Sequence, residues 1–160
     1  LPGTERQTAA GDYRVSDDRS LLDFDTIHEF LARSYWSPGI PRSVVERAAA
    51  HSTPFGLYHI ADPDRCRQVG YVRVLSDFSA FAYLMDVFIL EPFRGLGLGQ
   101  WMVDAAMADE RFGDVRTWLL ITRDAHGLYR KLGFSEVEPG RYMRRNFVPD
   151  WLATPGLQGN

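Results

Sequence analysis

Three glycines at alternate positions, Gly95, Gly97 and Gly99, follow Arg94 and precede Gln100 and Trp101. Glycines so spaced let the backbone turn tightly and leave its N–H groups uncovered, facing whatever sits above the turn. A phosphate ester suits such a turn, and the Arg94 guanidinium adds a full positive charge at its mouth. Two further residues carry chemistry. Asp86 is the one polar residue between Phe81 and Leu90, and a carboxylate inside such a run is costly unless it is paired or wetted. Tyr129 offers a phenol, a hydrogen-bond donor and acceptor.

Those residues need elements to position them. Phe81 to Leu90 is apolar and β-favouring, and it ends at Pro92. Leu98, Trp101, Met102 and Ala105 then recur at i, i+3, i+4 and i+7. The stretch reads as strand, glycine loop and helix, with an anion placed over the helix start. A Walker loop would need Gly-Lys-Ser/Thr where Gly99 is followed by Gln100, and a dinucleotide fingerprint would need G-x-G-x-x-G. Neither pattern fits. Downstream, Asp124 is a candidate N-cap, Ala125, Leu128, Tyr129 and Leu132 share a helix face, and Gly133-Phe134 is a candidate left-handed stop.

The string Arg94-Gly95-Leu96-Gly97-Leu98-Gly99 after a strand resembles the acyl-CoA pyrophosphate loop of the GNAT superfamily of N-acyltransferases. Ala125-His126-Gly127-Leu128-Tyr129-Arg130-Lys131-Leu132-Gly133-Phe134 resembles that superfamily's other hallmark, in the right order and at the right distance. The resemblance implies an α/β fold of the α+β type. Its mixed, mostly antiparallel central sheet would have six to seven strands with about four helices, and a central parallel strand pair would splay apart. It also implies acetyl-CoA as cosubstrate. Val87, Phe88 and Ile89 would pair with its pantetheine arm, and Arg94, Gly95, Leu96, Gly97, Leu98, Gly99 and Gln100 would hold its phosphates. Thr122 stands where many members carry an asparagine that contacts the cofactor. The implied reaction is direct attack of an amine on the thioester in a ternary complex, with Tyr129 matching the family's general-acid tyrosine. A core tyrosine on an apolar stripe is the competing reading of Tyr129.

Asp86 admits two readings: an ion pair with Arg73 on the neighbouring strand, or a role in taking the substrate's proton or binding its amine. Trp36, in the aromatic turn Tyr35 to Ile40, is either an acceptor contact or a plug over the core. Arg73 and Tyr83 are further acceptor candidates. His126 reads as an exposed helix histidine.

The remaining chain supplies the frame. Residues 1–12 are expected to be a flexible lead-in without the apolar core of a leader, residues 13–146 one domain, and residues 147–160 a tail. Tyr13 to Ser16 reads as a strand, and helices are expected from about Asp23 to Ser34 and from a Ser43/Glu46 capping box to Ala50. Phe55 to Ile60, Val69 to Ser76 and Phe81 to Leu90 form an antiparallel meander. Further strands are expected at Arg116 to Thr122, Ser135 to Val137 and Arg141 to Arg145.

With 160 residues, 45% of them hydrophobic, the chain can bury a substantial core. A net charge of −3 gives no basic face for nucleic acid, and no apolar run is long enough to cross a bilayer. The single cysteine, Cys66, excludes an internal disulfide or a cysteine metal site and suits a reducing, cytoplasmic setting. The expected partners are acetyl-CoA and a small amine, with a protein amino terminus or lysine as the alternative acceptor. An acyl-CoA-binding domain without catalysis is the second reading. A homodimer through the tail around Trp151 is one arrangement the sequence admits.

Overall fold

The computed structural model describes residues 4–8, 10–62 and 65–152. Six strands lie in the sheet in chain order: β1 (Thr4–Thr8), β2 (Gly11–Ser16), β3 (Thr53–Asp62), β4 (Arg65–Ser76), β5 (Phe81–Ile89) and β6 (Thr117–Leu119). Neighbours run antiparallel except β5 and β6, which are parallel. The four α-helices are α1 (Phe24–Arg33), α2 (Arg42–Ala50), α3 (Leu98–Met107) and α4 (His126–Lys131).

Strand alternation assigns the core to both faces of the sheet. On one face Val15, Leu57, Val72 and Leu84 pack with Leu98, Met102 and Val103 of α3 and Tyr129 of α4. On the other, Tyr71 and Phe88 pack with Ile27 and Leu31 of α1 and Val45 of α2. Tyr71 and Val72 are consecutive, so the two layers are separated by one residue of pleat. The α1 start is fixed by Asp23, whose side chain accepts from the Asp25 and Thr26 N–H groups.

Several local expectations are corrected. Thr4–Thr8, within the expected lead-in, is a strand paired on β2, with a cross-strand ion pair between Glu5 and Arg14 at 2.6 Å. The Ser43/Glu46 capping box does not form. Pro41 is the N-cap of α2 and Glu46 is taken by Arg42 at 2.7 Å. Asp124 does not cap α4 either; Ala125 takes that position, and its N–H donates to Thr122 Oγ1 at 3.0 Å. Residues 135–137 and 141–145 contain no strand. Gly140 turns the chain at φ +81°, and Tyr142 and Met143 are exposed, so no buried face exists to align a strand there. Among the described residues the sheet therefore stops at six strands, and β6 is only three residues long.

Candidate functional site

The glycine loop is built by left-handed backbone at alternate positions. Gly95 lies at φ +79° and Gly97 at φ +72°, where side-chain-bearing residues are strained, and Gly97 is the N-cap of α3. The first helical bond runs from the Trp101 N–H to the Gly97 carbonyl, 3.2 Å. The N–H groups of Leu98, Gly99 and Gln100 therefore have no intrahelical acceptor and point out of the helix start. Arg94 folds back over the end of β5, its Nε donating to the Ile89 carbonyl at 2.9 Å.

Next to the loop the sheet opens. β5 and β6 are paired only at Phe81–Thr117, Ala82–Trp118 and Tyr83–Leu119, while β5 continues to Ile89. From Leu84 onward its second edge has no strand partner, and α4 stands across the gap. A Cβ at Gly99 would make ordinary contact, at 3.5 Å, with both Ile89 Cγ1 and Leu128 Cδ1, so the helix start lies between these two side chains. The resulting cleft has a volume of about 1190 Å³ and runs from Arg94 and the glycines past Val87, Phe88 and Ile89 to Trp36.

Tyr129 lines this cleft from α4 and is only 8% exposed. The helix is closed beneath it by a Schellman arrangement. The Phe134 N–H reaches the Tyr129 carbonyl at 3.1 Å, the Gly133 N–H reaches Arg130 at 3.1 Å, and Gly133 lies at φ +86°. Phe134 packs edge-on against the Tyr129 ring, with centroids 5.8 Å apart. Burial, with a smaller effect from Tyr35, pushes the Tyr129 phenol up to about 12.

A family model for the acetyltransferase (GNAT) domain matches residues 54–136, more than half of the chain. The chain belongs to the GNAT acetyltransferases. A Gibberella zeae protein named as an acetyltransferase is 32% identical over 137 residues, which cover 76% of this chain and 77% of that one. The Oryza sativa protein named serotonin N-acetyltransferase 2, chloroplastic, is 30% identical over 135 residues, covering 82% of this chain and 66% of its own length. The crystal structure of a GNAT-family acetyltransferase from Xanthomonas campestris shares 39% identity at a TM-score of 0.79, covering 89% of this chain and 97% of that chain.

Most residues singled out in this GNAT chain fall on the cleft. Gly95, Gly97, Leu98, Gly99 and Gln100 line it together with Arg94, the three β5 residues, Trp36 and Tyr129. Leu96, Arg73, Tyr83, Asp86 and Thr122 are not among its lining residues. The Thr122 hydroxyl is engaged at the start of α4. Asp86 lies at φ +54° in a bulge, where β5 inserts one residue between the Arg73–Met85 and Tyr71–Phe88 pairs. Its Oδ2 accepts from Arg73 Nε at 2.5 Å and its Oδ1 from Trp36 Nε1 at 3.3 Å.

Sequence reasoning missed the rest of the aromatic end. Phe30, read as part of a helix face, stacks on Phe88 at 3.9 Å, and Tyr35 meets Trp36 edge-on at 5.0 Å. The Tyr35 hydroxyl accepts from the Arg123 N–H at 3.3 Å, joining the α1–α2 loop to the segment before α4. Only the aromatic density of residues 30–36 signalled this wall in the sequence. No helix among the described residues is long and apolar enough to cross a membrane.

Proposed function

We propose that this GNAT acetyltransferase moves an acetyl group from acetyl-CoA to the primary amine of a small molecule, by direct attack in a ternary complex. The observation that carries the reading is the continuity of the cleft: an anion-binding loop, an unpaired strand edge, a buried phenol and an aromatic wall lie along one channel. The residues fit the cosubstrate. Free N–H groups at Leu98, Gly99 and Gln100, with Arg94 beside them, suit a diphosphate. The unpaired edge of Val87 to Ile89 can take the pantetheine arm as an added strand. When bound, acetyl-CoA supplies the activated acyl group.

In the transfer the amine nitrogen forms a bond to the acetyl carbon as the carbon–sulfur bond breaks. A backbone N–H of β5 can steady the developing oxyanion. The amine loses its proton to water, and Tyr129 gives its proton to the departing sulfur and regains one from solvent. Burial keeps Tyr129 protonated throughout the neutral range, so the acid form is always present. Both carboxylate oxygens of Asp86 are engaged, which favours the ion-pair reading of that residue over the base. A relative named for serotonin favours a small-molecule amine over a protein acceptor.

Thermal unfolding with acetyl-CoA, coenzyme A and ATP added separately tests the donor site. At about a hundred times the dissociation constant, binding to the folded state adds about 2.7 kcal/mol, or roughly 5–11 °C for a chain of this size. Both CoA species should shift the melt and ATP should not. No shift with CoA refutes the proposal. CoA binding without acetylation of any amine supports the acyl-CoA-binding domain instead.

A further inference from the structure

We propose that the Arg73–Asp86 ion pair is a positioning device for Trp36, and that Trp36 is the platform on which a flat, uncharged, aromatic part of the acceptor amine rests. This rests on the amine-acceptor reading above and narrows its substrate class.

The bracing of Trp36 is unusual for a loop tryptophan. It sits between α1 and α2 with 39% of its surface exposed and lines the cleft, so it is not a plug sealed into the core. Its loop is tied down on both sides. The Gly39 N–H donates to the Ala32 carbonyl at 2.9 Å, and the Ser37 N–H donates to Ser34 Oγ at 3.2 Å. The indole N–H donates to Asp86 Oδ1 at 3.3 Å, and the other carboxylate oxygen is held by Arg73 at 2.5 Å. The Asp86 and Arg73 side chains are 11% and 12% exposed. Three elements thus fix one exposed ring: the loop itself, a bulge in β5 and a side chain from β4. Phe30 and Tyr35 flank the ring, at 6.2 Å tilted and 5.0 Å edge-on. A rigid aromatic face preformed at a cleft is the arrangement that stacks a ring at low entropic cost.

Three charged groups around this end have partners. Asp86 is satisfied by Arg73, Glu29 pairs with Arg33 at 2.9 Å, and the Arg123 guanidinium lies 3.8 Å from the centroid of the Tyr35 ring. To pair with Asp86, Glu29 or Arg33, a charged acceptor would have to displace one of these partners. An aromatic acceptor resting on the exposed part of the Trp36 ring displaces none.

Initial rates with phenethylamine, n-butylamine, spermidine and alanine as acceptors, at saturating acetyl-CoA, test the inference. The wild-type protein should favour phenethylamine over each of the others by about tenfold or more in kcat/KM. Trp36→Ala should raise the phenethylamine KM about tenfold with little change in kcat, several-fold more than it raises the n-butylamine KM. Trp36→Phe keeps a ring and should fall between the two. Asp86→Asn should move the phenethylamine KM toward that of Trp36→Ala. Trp36 lies on an exposed loop, so its variants keep the test valid should the Asp86 variant fold poorly. A preference for spermidine or alanine, or an equal loss for phenethylamine and n-butylamine in Trp36→Ala, overturns the inference while leaving the acetyltransferase reading intact. Acetyl-CoA binding with no transfer to any of the four amines removes both.

Discussion

Replacing Asp86 separates its electrostatic role from its backbone role. The Arg73–Asp86 pair joins neighbouring strands, with 12% and 11% of the side chains exposed. Removing the carboxylate leaves a guanidinium in a largely water-excluded position, a change that typically costs about 3–5 kcal/mol. The backbone adds its own increment. Asp86 lies at φ +54°, where alanine is disfavoured relative to glycine by about 1 kcal/mol or more. Asp86→Gly should therefore lose about 3–5 kcal/mol, and Asp86→Ala about 1 kcal/mol more. For a chain of this length the glycine variant should melt roughly 6–20 °C lower. The double change Arg73→Met with Asp86→Gly removes the orphaned charge and should recover much of the loss. Urea unfolding followed by circular dichroism measures all three. A loss below about 1 kcal/mol in Asp86→Gly would place the pair among ordinary surface bridges and refute the electrostatic argument. An alanine variant more stable than the glycine variant would refute the left-handed backbone.

Three other changes have defined outcomes. Tyr129→Phe removes the hydroxyl of a ring that lines the cleft. Turnover should fall about 10²–10⁴-fold while CoA affinity and unfolding change little, and unchanged thiol release would exclude the acid role. Gly133→Ala places a side chain at φ +86° with nothing within 4 Å of the new carbon. Strain alone should cost about 1–2 kcal/mol in chemical denaturation, and a neutral result would mean that the helix end relaxes. At high pH, burial raises the tyrosines Tyr58, Tyr71 and Tyr129, the last to about 12. Below the unfolded value near 10 their stabilising effect is complete. As pH rises further the unfolded chain releases protons that the folded one keeps, so stability declines. Phenolate absorbance should then rise together with loss of native circular dichroism; smooth titration of every tyrosine near pH 10 in a folded protein would contradict this.

The parts of the site that were legible in the sequence are those governed by local chemistry. Alternating glycines at Gly95 and Gly97 announced left-handed backbone, and the structure has it. The apolar spacing after Gly97 announced α3, and Gly133-Phe134 announced the closure beneath Tyr129. The errors follow an equally physical pattern. A β1 strand of polar residues pairs on a sheet edge without a buried face, so alternation left no trace of it. Arg141 to Arg145 has the composition of a strand but no partner to cover Tyr142 and Met143, so it stays irregular.

The aromatic end depends on contacts between residues far apart in the chain, and local periodicity carries no record of them. Trp36 meets Asp86 across fifty positions, and Arg73 meets it across thirteen. The sequence did expose one symptom, a lone carboxylate in an apolar strand that required compensation. A partner was inferable from that cost alone. Arg73 on the neighbouring strand was one reading of that partner, and the pair forms; what the pair would hold in place depended on a one-residue bulge that turns Asp86 away from the cleft-lining set while Val87 to Ile89 remain along the open edge. Had β5 continued in register, the alternation of its side chains would not have shifted at this point. The extra residue thus lets one strand supply both a cleft wall and the brace behind it.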